Sequence, residues 1–100
     1  MEVNSGAFIA MSHAYKHGIT YDEMFLAYRN TVFSKETEET PHNRLVIVGT
    51  TEMDAHEQQS VIDETSDIYI GLVCKIKPYG IQVIHASRPP IASIWRELKE

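Results

Sequence analysis

Three short stretches carry side chains suited to one chemistry: Lys16-His17, Arg44, and His85 with Arg88 three residues on. Arginine and lysine neutralise phosphate oxygens, and a guanidinium can hold two of them at once. An imidazole moves a proton near neutral pH. Metal-free phosphodiester cleavage in RNA needs these parts: the 2′-hydroxyl is deprotonated, the crowded phosphorus centre is stabilised and the leaving oxygen is protonated. Each stretch falls at the expected end of a helix or strand, where functional residues collect. Lys16, His17, Arg44 and Arg88 are the catalytic candidates, and His85, Lys75 and Lys77 are candidates for holding the RNA. A structural reading competes, in which Arg88 caps a sheet edge and His85 is an ordinary strand residue with its hydrogen bonds met.

Other chemistries find less support. His13 and His17 stand four apart, the spacing of a two-histidine metal site if the segment is helical. Position 14 is alanine and not the glutamate of HExxH, and no third ligand is evident, so no metal is assigned. Cys74 lies in an apolar run with no second cysteine, which reads as a small core residue. The chain has no GxSxG, GxxxxGK[ST] or GxGxxG, so nucleotide-cradling chemistry has no motif behind it and no cofactor is expected.

The elements that must position these residues are legible in outline. Gly6 to His17 reads as a first helix, with Ser5 as its N-cap, Phe8, Met11 and Tyr15 at helical spacing, and Gly18 as its stop. Thr20 with Glu23 forms a capping box for a second helix to about Asn30, with Tyr21, Met24, Phe25 and Tyr28 on its inner face. A short β-branched and aromatic stretch follows over 31–34. Leu45–Val48 reads as a buried strand, ended by Gly49. Ile68–Ile76 and Ile81–His85 read as two more strands, joined by the Lys77-Pro78-Tyr79-Gly80 turn, with Ile81, Val83 and His85 on one face. Pro89-Pro90 opens a C-terminal helix over 91–99. Helices followed by a run of strands imply an α+β domain with an antiparallel meander.

Composition bounds the rest. One hundred residues, 43% hydrophobic with a single cysteine, fit one domain spanning 1–100. No apolar run approaches membrane-spanning length and no secretory signal opens the chain, so a soluble cytoplasmic protein with no membrane partner is expected. The net charge of −5 conceals a dipole. Residues 36–67 hold nine acids against Arg44 alone, whereas residues 68–100 hold five bases against two acids. A basic C-terminal third keeps phosphate binding open, because such binding follows local charge. Residues 50–67 are polar and acidic without apolar periodicity, and read as a long inserted loop with a helical turn near Ala55–Gln59.

Lys16-His17-Gly18-Ile19-Thr20-Tyr21-Asp22-Glu23 resembles the opening motif of BrnT-type toxins. Arg44-Leu-Val-Ile-Val-Gly49 is similar to a strand of that family, and Ile81–Pro89 to its final strand, which ends in Arg-Pro before a C-terminal helix. The three motifs occur in order over residues 13–99. The chain differs from the family in its acidic stretch 50–67 and in opening on a helix where the family has a strand. The resemblance implies a RelE-like fold and a metal-independent ribonuclease toxin of a type II toxin–antitoxin pair, neutralised by a cognate antitoxin protein. By position it carries proton transfer and phosphate stabilisation to Lys16 or His17, Arg44 and Arg88. A homodimer stands as a further partner. The alternative is a non-catalytic interaction module that binds a partner protein through its sheet and acidic loop.

Overall fold

The computed structural model describes residues 6–100 and shows an α+β domain. Five strands form one mixed sheet in the order β1-β5-β4-β3-β2: β1 Ala7–Ala10, β2 Thr31–Thr37, β3 Arg44–Thr50, β4 Tyr69–Lys77 and β5 Gly80–Ser87. β2 to β5 form the expected antiparallel meander. The helices are α1 Tyr21–Arg29, α2 Met53–Glu57 and α3 Ala92–Lys99. No helix is long and apolar enough to cross a membrane.

The sheet is covered on both faces. Met24 and Ala27 of α1 pack on Ile47, Ile70, Leu72 and Cys74, while Ile94 and Trp95 of α3 pack on Val46, Val48, Tyr69 and Val73. Adjacent residues of β3 thus serve opposite cores, which is why its centre is apolar at every position and does not alternate with polar residues. Gly49 brings α1 close to β3, since a Cβ there would overlap the carbonyl oxygen of Ala27.

The first helix expected over Gly6–His17 is corrected. Ala7–Ala10 is a strand paired parallel to Gly80–Val83, and Ser12–Tyr15 forms one turn of 3-10 helix. The Ser5 cap assigned to that helix lies outside the described residues. Phe8, Met11 and Tyr15 do have helical spacing, but backbone pairing wins: Ala7 N–H donates to Tyr79 O at 2.7 Å and Met11 N–H to Val83 O at 2.9 Å. Gly80, at φ +141°, admits this approach, because a Cβ there would overlap the backbone of Ala7. The N-terminal part therefore contributes one helix and one edge strand in place of two helices.

α1 begins as read. Thr20 Oγ1 accepts from Glu23 N–H at 3.1 Å, and Glu23 Oε1 accepts from Thr20 N–H at 2.9 Å. Its buried residues are Met24 and Ala27, however, and Phe25 stays exposed. The acidic stretch contains α2, which is tied to β4 by His56 Nδ1 and Tyr69 Oη at 2.9 Å. Tyr69 donates to Gln59 Oε1 at 3.1 Å, so it accepts from the imidazole. Tyr69 packs in the α3-side core and Glu64 pairs with Lys99, so the acidic stretch is anchored on the α3 face.

Candidate functional site

The alternation read along β5 fails at one place, and that place shapes the site. β5 shifts register between Val73 and Cys74, whose partners are His85 and Val83, so Ile84 is the extra residue of a bulge. The bulge moves the phase of the strand. Val83 and Ala86, three apart, both pack in the α1-side core, whereas Ile84 packs in the α3-side core. His85 therefore leaves the face shared by Ile81 and Val83, and Ala86 takes its place.

Displaced in this way, His85 meets the segment that follows β1. The His17 and His85 rings lie edge to face with centroids 5.3 Å apart. His85 is half-buried, and its Nε2 is buried with no hydrogen-bond partner among the described residues. Burial holds the His85 pKa below its ordinary value, and the charges of His17 and His13 push the same way. His17 is exposed.

Arg88, just past β5, pairs with Glu23 through Nη2 and Oε2 at 3.1 Å. Glu23 thus caps α1 with one oxygen and holds Arg88 with the other. Its carboxyl sits below the ordinary range, first because Thr20 N–H donates to it, with the Thr20 side chain and Arg88 adding to the effect. Lys16, exposed and adjacent to His17, makes no ion pair among the described residues. The two imidazoles therefore meet, with Lys16 next to His17 in the chain, while Arg88, three residues after His85, is held by the helix cap on the α1 side.

The other candidates lie elsewhere. Arg44 grips Glu97 of α3 with two parallel bonds, Nε to Oε2 at 2.9 Å and Nη2 to Oε1 at 3.0 Å. The Glu97 carboxyl is held low by these bonds and by the charges of Arg44 and Lys35. Lys35 Nζ also donates to the backbone carbonyls of Glu97 and Glu100, at 3.2 and 2.8 Å, placing a cation at the C-terminal end of α3. Lys75 is the register partner of Arg44 and pairs with Glu39. Lys77 stands at the end of β4 beside the hairpin turn. Ser87 pairs with Gly71 and Arg44 with Lys75, so Arg88 and Arg44 attach to opposite ends of β4, about 13 Å apart along the strand. They also bond to helices on opposite faces of the sheet. Arg44 works here as the clamp that docks α3.

Among the described residues no group of three or more His, Cys, Asp or Glu side chains is placed to hold a metal. Cys74 is buried, and burial pushes its thiol up to about 12, which leaves no thiolate for nucleophilic work. Glu23 and Glu97 were missed as partners of the candidate arginines. Glu23 was visible as a capping-box residue, but Glu97 has no local signal, since it lies 53 positions from Arg44. No protein-family model, curated protein or solved structure matches the chain.

Proposed function

We propose that the chain is a metal-independent endoribonuclease of the BrnT type, with a RelE-like arrangement, acting as the toxin of a type II toxin–antitoxin pair. The observation that carries this reading is the His17–His85 pair, one imidazole exposed and the other held toward its neutral form. A neutral imidazole accepts the 2′-hydroxyl proton and a protonated one gives its proton to the leaving 5′-oxygen. The 2′-oxygen then bonds to phosphorus as the bond to the 5′-oxygen breaks, leaving a 2′,3′-cyclic phosphate and a free 5′-hydroxyl. Arg88, oriented by Glu23, and Lys16 neutralise the charge gathering on the phosphate.

The stretch 50–67 is anchored on the α3 face, and Arg88 is joined to α1 on the other. The chain's partner would be a cognate antitoxin protein covering the two imidazoles. The test is cleavage of single-stranded RNA in EDTA by the purified chain beside His17→Ala, His85→Gln and Arg88→Ala. The expected result is cleavage that falls by about 100-fold or more in the histidine variants. Cleavage retained in all three, or no cleavage of free RNA or translating ribosomes, overturns it.

A further inference from the structure

Away from the imidazole pair, a cleft of about 470 Å³ opens between α1 and the β4–β5 hairpin. Four of its eleven lining residues are aromatic: Phe8, Tyr28, and the more open Phe25 and Tyr79, which are 38% and 46% exposed. Phe8 holds the aromatic group in place. Its ring lies 4.9 Å from that of Tyr28, 5.4 Å from Phe25 and 5.7 Å from Tyr21, and its carbonyl accepts the Tyr21 hydroxyl at 2.6 Å. Phe25 therefore belongs to an ordered ring cluster, and Tyr79 lines the cleft from the hairpin turn.

One cation, Lys77, lines the cleft, and it makes no ion pair among the described residues. Arg29, four residues after Phe25 on α1 and so on its side of the helix, is likewise exposed and unpaired among them. Asp22, one turn before Phe25, is an exposed acid on the same side of α1. Exposed rings beside unpaired cations suit unpaired nucleotides, whose bases stack on aromatic faces while their phosphates meet the charge. A peptide strand fits less well, since β1, the edge nearest the cleft, offers only four residues for pairing.

We propose that this cleft binds an unpaired base of single-stranded RNA, with Tyr79 and Phe25 against the base and Lys77 and Arg29 near its flanking phosphates. The inference rests on the ribonuclease reading for its choice of ligand. The cleft lies at the start of β5 and His85 near its end, about 16 Å along the strand, so the bound base is a neighbour of the scissile nucleotide and not the nucleotide itself.

The test separates binding from cleavage by using a probe that this chemistry cannot cut: a fluorescein-labelled oligodeoxyadenylate of about six nucleotides, which lacks the 2′-hydroxyl, read by fluorescence anisotropy. The expected result is saturable binding that Tyr79→Ala weakens by about fivefold or more, with circular dichroism showing the variant folded. Lys77→Gln should flatten the dependence of log K on log salt by about 0.7, the share of one phosphate. An abasic strand of the same length should bind more weakly than the adenylate by a similar factor, and free adenosine monophosphate more weakly still. Equal binding of the abasic strand, an unchanged affinity in folded Tyr79→Ala, or saturable binding of an aromatic peptide in place of the oligonucleotide overturns the proposal. Binding with these dependences in a chain that cuts no RNA would sustain the cleft and overturn the ribonuclease. Cleavage with no effect of Tyr79→Ala on binding would do the reverse.

Discussion

Replacing Arg44 by alanine separates the helix clamp seen in the structure from the catalytic role expected from the sequence. The guanidinium makes two charge-assisted bonds to Glu97, and the two side chains are 30% and 23% exposed. A fully exposed ion pair contributes about 0.2–1 kcal/mol, and a buried hydrogen bond to a charge about 1.5–3 kcal/mol. This pair lies between those limits, so its loss should cost about 1–2 kcal/mol. For a domain of this size that is a fall of roughly 5–12 °C in melting temperature. Glu97→Gln should cost a similar amount, and the double variant should fall short of the sum by about 1 kcal/mol, because both changes break one interaction. Differential scanning calorimetry and urea unfolding measure these values, and cleavage is read at a temperature where every variant is folded. The clamp reading requires lower stability with cleavage per folded molecule unchanged. Unchanged stability with lost cleavage would refute it and return Arg44 to the chemistry.

Three further outcomes follow from the packing and the electrostatics. Gly49→Ala should destabilise the domain by about 3 kcal/mol in thermal or urea unfolding, since the added methyl meets a helix backbone that cannot turn aside. The His85 ring should titrate below the ordinary value of about 6.5 when followed by NMR. Because its folded pKa is depressed, the unfolded chain takes up its proton first. The stability linked to His85 is therefore complete above about pH 6.5, is lost as pH falls through the lower folded value, and should be absent in His85→Gln. Cys74 should resist iodoacetamide at pH 8 in the folded protein and react on unfolding, as mass spectrometry would show.

The parts of the fold legible in the sequence are those with local causes. The Thr20–Glu23 box marks the start of α1, the apolar runs mark β3, β4 and β5, and Pro90 marks the approach to α3. β1 was misread because four residues set by a partner far along the chain leave no local trace, while Phe8, Met11 and Tyr15 imitate a helix face. The bulge at Ile84 was invisible for a related reason: alternation carries no mark where a strand gains a residue. The candidate site follows the same division. His17, His85 and Arg88 were identifiable by residue type, but the contact between the two imidazoles depends on the bulge and on the turn after β1. Arg44 matched the expected chemistry by type, and only the docking of α3 shows where its charge is spent.

The parallel pairing of β1 with β5 also orders events in time. During synthesis at about 5–20 residues per second, β1 waits several seconds for its partner, which leaves the ribosome roughly seventy residues later. Until then the segment carrying Lys16 and His17 has no β5 to rest on, and the aromatic cleft lacks its hairpin wall. A nascent chain stopped before β5 thus carries neither the paired imidazoles nor the closed cleft, and both features arise together, late, when the hairpin joins the edge strand.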